Sequence, residues 1–503
     1  MTNAPSQPLP THPFEPAAPP PPPSPPRPLE PARRSVLLAA AVGAVATDLA
    51  MWTTGPGLLW VAGACVAAGA VAIATRPTTP AAWGLLASVP LLAFWCAVRS
   101  SPWLVVPDVI AINVCLVLAA SHAHRGRWTD QSLMRIVNRL AEFAATPFTM
   151  LPWAAPLLRQ RLVEADGSPR TPRDHRATLT ALVVTVPLVV VLILLLASAD
   201  AVFASFFDIG IDSSVVARHV LFLLGGAWAV AALARHGANL TEDRLSPAPT
   251  LRATTANALL GGLVAVFTLY ATSRLLTLTG AAERIATTRG LTWAEYARSG
   301  FFQLLAVAVI TLIVLLSVRG FAGDGTPAQR SLLTVLALTS VALVIGIVVD
   351  AVYRLDGYAD AYGLTMLRLY STWFAIWIGA VFLVVGAAFV VGYAGRRWLA
   401  PTLVASLLPS LFLLNAVNPE ALVAARNLQG STEVGTVDLD YLLDDLGGDA
   451  IPTVAHNTGT LSRLDSDTLD YWCDGDLPDS GPFGWNVNLS VEYARDARAD
   501  LCR

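Results

Sequence analysis

Long apolar runs separated by short polar stretches dominate the chain from Ser35 to Val417. Crossing roughly 30 Å of hydrocarbon takes about 20 apolar residues in a helix. That ruler predicts spans near 36–53, 57–75, 80–98 and 103–121, then near 177–198, 219–235, 254–274, 301–319, 331–351, 369–392 and 398–416. The predicted fold is all-α, a polytopic transmembrane bundle of about eleven spans, because a helix satisfies its own backbone in lipid. The strip 199–218, with Asp200, Asp208 and Asp212, reads as returning to the interface.

Two stretches break the pattern. Phe143 to Leu158 is apolar but carries Pro147, Pro152 and Pro156, and arginines flank it on both sides, so it is expected to lie in the interface or re-enter. Just upstream, Leu133, Ile136, Val137, Leu140 and Phe143 recur at helical spacing after Thr129, which predicts an interfacial helix with arginines on its other face. The organisation that follows is a Pro-rich arm over 1–34, four spans over 35–121, a basic loop over 122–176, seven spans over 177–416 and a tail over 417–503. The arm holds fourteen prolines and few core-forming side chains, which predicts disorder with polyproline-II character.

The tail has its own pattern. Asn418-Pro419-Glu420 reads as a helix start, with Asn as cap, Pro in the first turn and an acid near the positive end of the dipole. Leu439, Leu442, Leu443 and Leu446 mark a second, amphipathic helix that ends at Gly447-Gly448.

Composition sharpens the class: 54% of the residues are hydrophobic and 14% charged, outside the range of soluble domains. All 33 basic residues are arginine, a bias that fits a GC-rich genome. The net charge of −3 conceals segregation, since residues 417–503 hold sixteen acids and five arginines. With the N-terminus in the cytoplasm, 20 arginines fall in cytoplasmic segments and eight in external loops, which favours that orientation and an extracytoplasmic tail. Cys473 and Cys502 then lie where a disulfide can form. Trp52, Trp60, Trp83, Trp103 and Trp398 near span ends suit headgroup anchoring.

Candidate chemistry is sparse. Asp48 and Asp108 are ionisable groups inside spans, each near the expected external end, and could share a polar pocket where Pro107 frees a backbone carbonyl. A second candidate is an external-face cluster of Tyr296, Arg298, Tyr353, Arg354, Asp356, Tyr358, Tyr362 and Arg368, suited to gripping a polar ligand or docking the tail. No Walker A loop, His-Glu-x-x-His or Gly-x-Ser-x-Gly motif occurs, so nucleotide hydrolysis and the common hydrolases lack support. No cofactor or metal site is expected, and the expected partners are the lipid bilayer and an unidentified protein, not nucleic acid.

From about residue 177 the chain resembles a family of bacterial multi-pass membrane proteins known only as containing a domain of unknown function. The resemblance rests on Ala199 to Phe203, Tyr296 to Phe302, Tyr362 to Arg368, Asn418 to Ala421 with Arg426-Asn427, and Asp440 to Leu442 through Asp449 to Pro452. Alanine stands at 201 where proline is expected, and the first four spans fall outside the resemblance. It implies a bacterial plasma-membrane protein and no particular activity. Three roles remain: a non-enzymatic envelope or signalling component, a transporter of a small solute or ion, and a membrane enzyme with an external site.

Overall fold

A computed structural model describes residues 33–52, 55–124, 213–238, 251–276, 293–321, 325–391, 396–429, 441–457 and 485–502, together with Cys473 and parts of 136–156. Every long element is helical. In chain order they are α1 (Arg34–Met51), α2 (Leu58–Thr75), α3 (Pro80–Val98), α4 (Pro102–Ser121), α5 (Ser213–Gly237), α6 (Ala253–Leu276), α7 (Trp293–Phe321), α8 (Pro327–Tyr362), α9 (Met366–Val391) and α10 (Arg396–Val417). The tail adds α11 (Pro419–Gln429), a π-helical turn at Tyr441–Asp445, α12 (Ile451–Ala455) and α13 (Leu489–Leu501).

Among the described residues, ten helices are long and apolar enough to cross a membrane, so the chain is a multi-pass membrane protein. They correspond to ten of the eleven predicted runs; the eleventh, 177–198, lies outside the described residues, as do 1–32 and 199–212. Three bounds differ most from expectation, and one of them is the start of α7, at Trp293 instead of 301. α5 begins at Ser213, where the sequence reads as a polar return to the interface. α8 runs three turns past the predicted end at 351, through the stretch that reads as a loop. The reason is an apolar stripe at helical spacing, Ala351, Leu355 and Ala359, all buried, with no stop signal before Gly363, whose φ of +79° suits glycine.

Helix starts are written locally. The Thr79 hydroxyl accepts from Ala82 N at 3.3 Å ahead of Pro80, and Thr326 and Gln329 form a reciprocal capping box ahead of Pro327. Asn418 caps α11, accepting from Ala421 N at 3.3 Å, and takes a φ of +54° that Asn tolerates better than most residues.

The helices form two bundles. In the first, α1 packs on α2 and α5, α2 on α3, and α3 on α4. In the second, α8 is central and touches α6, α7 and α9. α10 joins them with two faces: Leu399 and Leu403 enter the core of the second bundle, and Ala400, Val404, Leu408 and Leu411 pack against the first. Ile136 is buried with the first core, Phe143 meets the His236 ring edge-on at 5.6 Å, and Trp228 donates to Pro147 O at 3.1 Å, so this amphipathic stretch rests on α4 and α5.

The turns α1–α2, α3–α4 and α8–α9 and the end of α10 all meet the tail, which defines a tail face. Asn488 Nδ2 donates to the carbonyls of Pro56, Cys96 and Arg99 at 3.1, 3.1 and 2.9 Å. Asn486 donates to Gly55 O at 2.9 Å and accepts from Leu59 N at 3.2 Å, with the backbone of Gly57 so close that any Cβ there would strike its amide. Asn427 accepts from Leu364 N and donates to Leu364 O, both at 2.7 Å, and the Tyr441 hydroxyl accepts from Met366 N at 2.8 Å. Beneath these bonds Leu364, Met366, Val423, Leu442, Ile451 and Val454 form one apolar core. A disulfide joins Cys473 to Cys502 at the end of α13.

Removing a buried donor leaves its acceptors unsatisfied, at roughly 1–3 kcal/mol for each group. Asn488→Ala is therefore expected to loosen the tail while sparing the bundles. Limited proteolysis in detergent checks this, with faster tail cleavage expected and an unchanged rate counting against the account.

Candidate functional site

A cavity of about 1380 Å³ separates the two bundles. α3 and α4 form one wall and α9 and α10 the other, and its lining runs from Thr78 and Thr79 at the face opposite the tail to Tyr370 and Leu414 at the tail face. On α4 the lining positions 107, 110, 111, 114, 115 and 118 follow the helical repeat and cover roughly 16 Å at 1.5 Å per residue. Trp373, Phe374, Trp377 and Leu407 make the surface mainly apolar. The cavity exceeds the roughly 300–1,000 Å³ typical of small-ligand pockets.

Proline shapes its tail-face end. Pro107 has no N–H to give the carbonyl four residues earlier, which belongs to Trp103. The Tyr370 hydroxyl takes that acceptor at 2.6 Å, and its ring lies 5.2 Å from that of Trp103, so a defect in α4 becomes a link to α9. Next to it Asp108, fully buried, accepts from Asn415 Nδ2 at 3.1 Å. Asn415 sits one helical turn beyond the lining residue Leu411, to whose carbonyl it also donates, and its own carbonyl accepts from Arg99 Nε at 2.9 Å.

Two more buried carboxylates stand close by. Asp449 accepts from Ser101 N at 3.1 Å and Ser100 N at 3.3 Å, the two backbone amides immediately ahead of α4. Glu420 is 1% exposed and lies against Gly447. Burial pushes its carboxyl up to about 7 and the charge of Asp449 adds to the rise, while the Ser101 hydroxyl and the backbone of Gly447 and Asp449 oppose it. Burial lowers the Arg99 guanidinium, and Asp449 and Glu420 counter that. Tyr370 lies within electrostatic reach of all three acids, and the Arg99 guanidinium within reach of Asp449 and Glu420.

The residues singled out in the sequence are distributed more widely. Asp48 pairs with His219 Nδ1 on α5 at 2.7 Å, under the edge of Trp52, whereas Asp108 pairs with α10; each acid has its own partner. Arg354 joins Asp350 at 3.0 Å, together with Arg274 and the Tyr270 hydroxyl. Asp356 and Asp360 receive Arg426 at 3.0 and 2.6 Å, so the tail supplies the cation and α8 the acids. Arg368 lies 4.3 Å over the Tyr358 ring, which is 5.0 Å from Tyr362, and donates to Gly363 O. Tyr353 is exposed. Tyr296 and Arg298 are on the leading turns of α7, and their side chains fall outside the described ones. Among the described residues this cluster thus divides into three polar groups.

The sequence reading did not single out Arg99 or Asn415; it took Asp449 only as part of the family resemblance, and Glu420 as part of that resemblance and as a helix-start acid. Asn415 had a signal, a lone amide in the apolar run Leu411–Val417. Glu420 had none beyond its place after Pro419.

A family model, the domain of unknown function DUF4153, matches residues 84–457, and the chain belongs to that family. The match begins within α3, earlier than 177, so Asp108, Asn415, Glu420 and Asp449 fall inside it, and Asp48, Asn488 and the disulfide fall outside. No curated protein and no solved structure matches the chain.

The raised Glu420 carboxyl has a definite linkage sign. Its proton is held more tightly when the tail is docked, so the contribution is fully present below the ordinary value of 4.5 and is lost as pH rises through about 7. The loss is on the order of 3 kcal/mol at about 1.4 kcal/mol per unit. Hydrogen exchange across α11 and α12 is expected to speed up over that window in the wild type and to lose this dependence in Glu420→Gln; identical profiles would refute the assignment.

Proposed function

We propose that this member of the family is a non-enzymatic component of the bacterial plasma membrane that holds one amphiphile of the bilayer between its two bundles. The cavity is the observation that carries the reading. It lies at membrane depth, its walls are apolar along most of their length, and buried polar groups stand at its tail-face end. An acyl chain is the occupant such walls accommodate, because lipid-facing Leu, Phe and Trp offer dispersion contact and no charge.

The proposed orientation puts the N-terminus in the cytoplasm and the tail outside. Supporting it are the 20 arginines against eight in the loops and a disulfide in the tail, which suits an oxidising compartment. A transport role is the second reading, favoured by a lining that reaches from Thr79 to Tyr370, most of the way between the faces. Lipid scrambling between leaflets in vesicles separates holding from moving.

Mass spectrometry of the full chain released from mild detergent is expected to show a retained lipid. Ala111→Trp places a large ring in the groove, at a cost of roughly 1–3 kcal/mol to the fit, which corresponds to about tenfold or more in occupancy. Equal retention by wild type and variant would remove the proposal. For orientation, an impermeant thiol reagent is expected to label Cys473 and Cys502 in intact cells only after reduction; a requirement for lysis would reverse the topology.

A further inference from the structure

We infer that the tail-face end of the groove seats a primary ammonium group, so that the amphiphile held there is one whose head ends in a protonated amine. This rests on the amphiphile reading above and adds the class of headgroup. Asp108 and Asn415 are both 0% exposed, and each spends one atom on the other: Asn415 Nδ2 donates to Asp108 Oδ1 at 3.1 Å. Asp108 Oδ2 and Asn415 Oδ1 remain without a hydrogen-bond partner among the described residues. Both are acceptors. A buried acceptor left unsatisfied costs roughly 1–3 kcal/mol, and more when it is charged.

Position links this pair to the groove. Asn415 follows Leu411 by one turn on α10, and Asp108 follows Pro107 on α4, so the pair adjoins the lining residues Pro107, Leu411 and Leu414 without itself being part of the wall. Tyr370 lines the same end but has committed its hydroxyl to Trp103 O. Arg99 directs its Nε to the main-chain carbonyl of Asn415 and lies within electrostatic reach of Glu420 and Asp449, while Tyr370 at the same end is within reach of all three acids, Asp108, Glu420 and Asp449.

A matching head must bring N–H donors and positive charge. A primary ammonium has three donors and suits two acceptors at once. A quaternary ammonium has the charge but no N–H, and an anionic head meets the field of the acids with no spare donor from Asp108 or Asn415. Charge complementarity therefore selects a phosphatidylethanolamine-like lipid over phosphatidylcholine or phosphatidylglycerol.

The test uses the full chain reconstituted in bilayers of equal parts phosphatidylethanolamine, phosphatidylcholine and phosphatidylglycerol, with retained lipids identified by native mass spectrometry. The wild type is expected to retain the ethanolamine lipid about tenfold above its share, equivalent to about 1.4 kcal/mol. Asp108→Asn keeps the side-chain volume and is expected to retain lipid without that preference. Preference that survives in a folded Asp108→Asn protein overturns the ammonium seat. Should that variant not fold, the wild type decides alone: occupancy must fall with stepwise N-methylation of the ethanolamine head, and a flat series overturns the proposal. Lipid retained by the wild type with no head preference defeats the ammonium seat and leaves the groove reading intact. No retained lipid in the wild type defeats the groove reading itself, and this inference with it.

Discussion

The ends of the helices, more than their flanks, decide how this molecule is put together. A transmembrane helix satisfies its interior backbone by itself, yet its first N–H and last C=O groups have no partner in the helix. Apolar flanks tolerate lipid, so lateral packing alone leaves these ends open. Here the tail covers them. Asp449 takes the free amides ahead of α4, Asn488 supplies donors to carbonyls at the ends of two turns, and Asn427 closes both backbone groups of Leu364. Short polar side chains carry these contacts because a longer one would lose more rotamer freedom on reaching the same place.

From that constraint the other features follow. Holding three turns at fixed positions fixes the tail-face ends of α3, α4 and α9 relative to one another. α10 ties the bundles through its two apolar faces, and on the side of it that α3, α4 and α9 do not fill, a groove remains. The buried acids belong to the same design: carboxylates that bind polar groups beneath a folded tail lose their water. Glu420 shows the consequence in its raised carboxyl.

Periodicity and length made the spans legible. Ten of the runs became helices because a 20-residue apolar stretch has one way to satisfy its backbone in lipid. Boundaries were legible where Thr79, Thr326 or Asn418 marks a start. They were misjudged where a polar, charged surface concealed an apolar stripe, as in α8 beyond 351. The site was half legible. Asp108 and Pro107 stood out because each is anomalous in a span. Asn415, Arg99 and Asp449 did not, since what joins them is convergence of segments up to about 350 positions apart, which spacing cannot encode. The set of aromatic and charged residues in the last turns of α8 shows the opposite error: neighbours in sequence, placed on successive helical turns, face different partners.

One feature of the tail bears on how the chain is made. It follows the described spans along the chain, and the groups it covers belong to turns that lie far apart in sequence. A nascent protein that missed a crossing would deliver Asn488 and Asp449 to the wrong side of the membrane, where the turns they complete are out of reach. Docking of the tail over 417–503 therefore depends on the α1–α2, α3–α4 and α8–α9 turns all standing on one side of the membrane.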